Sequence, residues 1–143
     1  MVKIERSALV PYSANQMFDL VNDIEQYPNF MQGCKTARVI SSSEKELVGE
    51  LCLAKAGITH RFTTRNELYR PSRIEMHLVA GNFSAFHARW TFTALTDVAC
   101  KVALNMEFEF KAGLMEFAAE KLFSSSANNL VDALVNRATV IYK

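Results

Sequence analysis

A chain of 143 residues, half of them apolar, 22% charged and poor in Gly and Pro, has the composition of one globular domain and not of a disordered or repetitive protein. A formal net charge of +1 excludes a global electrostatic drive toward nucleic acid and leaves only local basic strips. Cys34, Cys52 and Cys100 are odd in number and widely spaced, with no CxxC pair or Cys/His cluster, which argues against a zinc site and a disulfide framework and fits a reducing cytosol.

The opening "MVKIERSALV" alternates charged and apolar residues. It predicts a strand with Val2, Ile4, Ala8 and Val10 on one face, and it lacks the apolar core of a signal peptide. No run of about 18 apolar residues occurs, so no spanning helix is expected and the chain reads as soluble and cytoplasmic. Ser13, with Gln16 three residues on, forms a capping box, and Tyr12 and Met17 are spaced for a hydrophobic staple. Met17, Leu20, Val21 and Ile24 continue at helical spacing. Pro28 breaks a continuous helix, leaving a second short turn from Ile24 to Phe30.

From residue 35 to 110 the period becomes two. "ARVIS", "KELVGELCLAK", "ITHRFTTRNELY", "RIEMHLVA", "AFHARWTFTAL" and "KVALNMEFEF" each alternate between short turn-like links. Phe86, Ala88, Trp90 and Phe92, then Val102, Leu104, Met106, Phe108 and Phe110, share one parity, so one face of the sheet is packed and the other wet. Short links make an antiparallel meander the default. After Lys111 the pattern is helical to the end, with Leu114, Phe117, Ala118, Leu122, Leu130, Val131, Leu134, Val135 and Ala138 near a 3.6 period around the small polar "SSSANN". The expected fold is α+β and single-domain over residues 1–143. A curved antiparallel sheet of about seven strands grips a long C-terminal helix, with two short helices after the first strand.

The stretch "DIEQYPNFMQGC", residues 23–34, sets large apolar groups in a linker. Either it folds back as a lid on a filled core, or it lines a hollow beneath the helix. Tyr27, Phe30, Met31, Phe62, Met76, Phe83, Phe86, Trp90, Met106, Phe108, Phe117 and Phe123 suit both filling and lining. His60, Thr64 and Asn66 share the inward parity of Ile58 and Phe62 and are candidates to hydrogen-bond a buried guest. His77 and His87 fall on the polar parity, and Asp19, Asp23 and Glu25 at a helix end read as solvent-facing. No catalytic constellation, metal site or cofactor is expected. On the outer parity, Arg61, Arg65, Arg89 and Lys101 form a candidate basic strip for RNA, interrupted by Glu67 and Glu107.

At residue level the chain resembles the START-like polyketide cyclase/dehydrase superfamily, in its coenzyme-Q-binding branch. The resemblance rests on Val10, Tyr12-Ser13, Met17-Phe18, Leu20-Val21, Asp23-Ile24-Glu25, Tyr27-Pro28 and Phe30, then Arg61-Phe62-Thr63, "LVAGNF", "RWTF" and "FEF". Gln32, Gly33 and Asn82 depart from the family pattern at loop positions. The family includes mitochondrial ubiquinone-binding proteins and a bacterial type described as a ribosome association toxin, and the absence of a transit-like leader is similar to the bacterial type. The resemblance implies helix-grip topology and a groove partly walled by "YPNFM". It further implies a non-enzymatic carrier of ubiquinone or another isoprenoid lipid, or alternatively a translation inhibitor on the large ribosomal subunit. An isoprene unit hides roughly 100 Å² of apolar area, worth about 2–3 kcal/mol. Delivery of a longer tail implies transient membrane contact, for which "GLMEF" with Leu114, Met115 and Phe117 is the candidate turn.

Overall fold

The computed structural model describes residues 1–143, save the side chains of 114–116. The strands are β1 (Val2–Val10), β2 (Cys34–Ser42), β3 (Glu46–Lys55), β4 (Ile58–Tyr69), β5 (Arg73–Ala80), β6 (Phe83–Thr96) and β7 (Ala99–Phe110). Helix α1 (Ala14–Asn22) and a 3-10 helix (Ile24–Asn29) follow β1, and α2 (Leu114–Ile141) closes the chain. All seven strands form one antiparallel sheet in the order β1-β7-β6-β5-β4-β3-β2.

The predicted meander therefore runs from β2 to β7, but β1 lies on the far edge beside β7. The two short helices carry the chain from one edge of the sheet to the other. Their entry is fixed by the predicted capping box: Gln16 N–H donates to Ser13 Oγ at 3.1 Å, and Ser13 N–H donates to Gln16 Oε1 at 2.9 Å. The 3-10 helix stays close to the sheet because of Gly49. A Cβ there would lie 2.2 Å from Ile24 Cδ1, so any larger residue would displace the Ile24 side chain from where it packs on β3.

The parity reading holds across the ladder. Phe86 pairs with Phe108, Ala88 with Met106, Trp90 with Leu104 and Phe92 with Val102, and all but the half-buried Phe86 are buried on the concave face. Against that face α2, with 28 residues, extends about 42 Å. Its buried stripe runs Ala119, Leu122, Phe123, Ser126, Ala127, Leu130, Val131, Leu134 and Ala138, steps of three and four that keep one side on the sheet. The small middle of the helix permits close approach: a Cβ on Gly33, at φ +80°, would lie 2.8 Å from Ser126 Oγ. Cys34, Cys52 and Cys100 are free and buried, and burial pushes the Cys34 thiol up to about 11, which keeps it protonated and unreactive at neutral pH.

Candidate functional site

Beneath α2 the concave face is filled at one end and hollow in the middle. The filled end, where α2 begins, is a cluster of rings: Phe123 lies 5.3 Å from Phe62, 5.1 Å from Phe83, 4.8 Å from Phe108 and 5.9 Å from Phe110. His60 sits among them, 5.3 Å from Phe62 and 4.8 Å from Phe110, with neither ring nitrogen hydrogen-bonded among the described residues. With no partner to compensate lost hydration, burial lowers its pKa to about 4, so the imidazole is neutral at physiological pH.

The hollow lies beside this cluster. Its walls are Val21 and Asn22 of α1, Ile24 and Tyr27 of the 3-10 helix, and Met31. Gly49 and Leu51 on β3, Phe62, Thr64 and Asn66 on β4, Ile74 and Met76 on β5, Phe86 and Trp90 on β6 and Met106 on β7 line the sheet side, and Phe123, Ala127 and Leu130 of α2 close it. The void between these atoms, mouth included, is about 660 Å³, but only about 50 Å³ is open to the centre of a water molecule. The smaller figure limits what can enter, because the larger one counts solvent at the mouth. That space suits a few waters or a single small ring, well below the usual 300–1,000 Å³ of a ligand pocket.

Three polar groups interrupt the apolar wall. Thr64 Oγ1 donates to Asn66 Oδ1 at 2.9 Å, both residues being buried. Asn22 Oδ1 is buried without a hydrogen-bond partner among the described residues. Tyr27 is turned away: its hydroxyl donates to the carbonyl of Val21 at 2.5 Å, so it offers the cavity its ring only. Burial pushes the Tyr27 pKa upward, keeping the phenol protonated.

Of the predicted lining residues, Tyr27, Met31, Phe62, Thr64, Asn66, Met76, Phe86, Trp90, Met106 and Phe123 meet at this cavity. The others do not. His60, Phe83 and Phe108 belong to the ring cluster, where neighbouring rings shield them from the hollow. Phe30 turns outward into a shallow groove against α2, its ring 5.3 Å from Tyr27 and 5.6 Å from the Arg137 guanidinium. Phe117 is 62% exposed, because the buried stripe of α2 begins two residues later. The expected membrane-touching residues Leu114 and Met115 lie outside the described side chains.

"YPNFM" is thus part wall and part outer surface. Sequence reasoning missed Asn22 as a wall residue, although it stands four residues after the fully buried Phe18 and so shares its helical face.

The outer face of the sheet differs from expectation too. Arg61 meets Glu50 at 2.9 Å, Arg65 meets Glu46 at 3.4 Å and Arg89 meets Glu75 at 2.6 Å. Glu75, only 11% exposed at its side chain, also meets Arg73 and His87. His77 contacts Glu67, and this hydrogen bond holds the Glu67 carboxyl below its usual range. Lys101 stands apart on β7, opposite Leu9 of β1 and Thr93 of β6. The predicted basic strip is instead a lattice of alternating charge, each arginine neutralised across or diagonally between strands, so it offers little net attraction for RNA. Asp19 pairs with Arg70 at 2.5 Å, and Glu25 accepts from the Val39 N–H at 3.4 Å.

This architecture has known counterparts. The chain is 44% identical over 142 residues, covering 99% of both chains, to the ribosome association toxin RatA of Vibrio cholerae. It is 22% identical to a mitochondrial coenzyme Q-binding protein homolog of Xenopus laevis, covering 99% of this chain and 59% of that one. The solved structure of a START superfamily protein from Mycobacterium smegmatis superposes with a TM-score of 0.78 over 97% of this chain and 98% of that one, at 19% identity. Residues 10–135 match the family model described as polyketide cyclase / dehydrase and lipid transport, and the chain belongs to that family.

Proposed function

We propose that this protein associates with the ribosome, at the large subunit, and inhibits translation by hindering subunit joining. The observation that carries the reading is the 44% identity to a ribosome association toxin along 99% of both chains. It acts by occupying a surface and not by chemistry. In support, His77 and His87 are engaged by Glu67 and Glu75, and His60 is neutral among rings with neither nitrogen hydrogen-bonded among the described residues. The purified protein is expected to inhibit a cell-free translation reaction in proportion to its ratio to ribosomes when added before initiation. It should leave elongation on already joined ribosomes intact. Equal inhibition of both stages would overturn the mode of action.

The cavity favours a second reading that can coexist with the first: it holds one ring, such as a quinone head, or one segment of an isoprenoid chain. Thr64, Asn66 and Asn22 supply the hydrogen bonds that orient it within apolar walls. Native mass spectrometry of protein purified without detergent is expected to show an apolar adduct that Thr64→Trp abolishes. Because this substitution overpacks a buried position, a matched thermal melt checks that the variant is folded, and Met76→Trp on the neighbouring strand β5 serves as the second blocking variant. Wild-type protein free of any adduct, even after incubation with a short-chain quinone, would remove this reading.

A further inference from the structure

We infer that the ribosome-facing surface of this protein is the end where α2 begins, built to hold single-stranded or looped RNA; the inference rests on the ribosome-association reading. Lys35 is the second residue of β2, Lys55 ends β3, Lys111 follows β7 and Lys121 lies in the third turn of α2. All four are exposed, and among the described residues none meets a carboxylate at ion-pair distance, whereas Arg61, Arg65 and Arg89 all do. The fold sets all four at the same end, the one where α2 begins. Gly33 accepts from the Ala54 N–H at 2.9 Å, which brings the start of β2 alongside Lys55. Lys55 and Lys121 line one groove with Ala56, Ile58, Ala118, Leu122 and Ser125. Gln32 donates to Ser125 at 3.2 Å, closing the side of that groove.

Glu116 and Glu120 are the acids nearby in sequence, so four lysines leave a positive surplus here, while the outer sheet face is balanced. Counting Glu109 of β7 as well, whose carboxylate accepts from the Ser84 hydroxyl at 3.3 Å, still leaves the lysines in excess.

Beside the groove stands Phe117, 62% exposed, with the Lys121 ammonium 4.8 Å from its ring centroid. An exposed aromatic beside unpaired cations is the combination that binds single-stranded nucleic acid, the ring stacking on a base while the ammonium groups meet phosphates. A membrane anchor needs a broad apolar face. Among the described residues, the other large apolar side chains of the groove, Ile58 and Leu122, are half-buried and buried.

The test compares wild type, Lys55→Gln/Lys121→Gln, Phe117→Ala and the control Arg61→Gln/Arg65→Gln. Each is measured for sedimentation with large ribosomal subunits, for binding a fluorescent 12-nucleotide oligouridylate across salt concentrations, and for binding vesicles of 30% anionic lipid. Wild type and control are expected to bind subunits and oligouridylate alike. The double lysine variant should lose at least about ten-fold in affinity, with a log–log salt slope shallower by about 1.4, because each phosphate contact on a single strand contributes about 0.7. Phe117→Ala should lose about ten-fold with its salt slope unchanged. These positions are exposed, so matched thermal melts check that folding is intact.

Wild type and lysine variant sedimenting equally with subunits would overturn this assignment and leave ribosome association standing. Wild type failing to sediment would overturn both. Binding to vesicles but not to oligouridylate would overturn the RNA assignment in favour of a membrane surface.

Discussion

Phe123→Ala is expected to destabilise the fold by about 3–5 kcal/mol, the usual cost of removing a buried phenylalanine ring. The reason lies in its position. Phe123 is 3% exposed and joins α2 to rings on β4, β6 and β7 while forming one wall of the cavity. Those rings are fixed on a hydrogen-bonded sheet and cannot close over the gap, so the transfer and cavity terms add. Chemical denaturation monitored at Trp90 is the direct measurement. Phe117→Ala, six residues earlier on the solvent side of the same helix, should change stability by less than about 1 kcal/mol. Equal effects at the two positions would mean that α2 is rotated from the orientation described. The void left by Phe123 adjoins the existing hollow, so a small apolar ring such as indole should bind there and recover part of the loss.

The second large effect is acid lability centred on His60. In the unfolded chain this histidine takes up a proton at its ordinary pKa of 6.5, whereas in the native ring cluster it does so only at about 4. The unfolded state therefore binds more protons between these values. Stability from this site is complete above 6.5, falls as pH drops toward 4, and is constant again once both states are protonated. A gap of that width corresponds to about 3 kcal/mol. His60→Leu, which keeps most of the volume and cannot titrate, should flatten the decline in urea midpoint between pH 6.5 and 4. Glu67, held low by its hydrogen bond to His77, adds a loss that begins near its ordinary 4.5, at the acid end of that window, and continues below it, in variant and wild type alike. An identical decline in variant and wild type would place the proton-linked cost somewhere other than His60.

The strands, the capping box and the long helix were legible because each is a local, periodic signal. The packed parity of β6 and β7 could be read residue by residue, and the ladder pairs Phe86 with Phe108 as alternation requires. The place of β1 was not legible. Pairing Val2 with Phe108 joins residues at opposite ends of the chain, and the same alternating pattern would serve at either edge.

Electrostatic features failed for a related reason. Counting Arg61, Arg65 and Arg89 along the sequence suggested a basic strip, but neutralisation depends on register. Glu75 stands directly opposite Arg89, while Glu50 and Glu46 lie diagonal to Arg61 and Arg65. The converse holds at the other end, where Lys35, Lys55, Lys111 and Lys121 are far apart in sequence and share one end of the fold only because strand ends and a helix start lie there. The cavity wall was read largely from inward parity. That rule cannot say which inward rings pack on one another, so it placed His60, Phe83 and Phe108 at a hollow they do not reach.

Ribosome association is tested most directly by zonal sedimentation of the purified protein with separated large and small ribosomal subunits. Comigration with the large subunit, together with fewer joined particles when both subunits are present, is the predicted result. Protein that stays at the top of the gradient at low salt, with subunit joining unaltered, would contradict it.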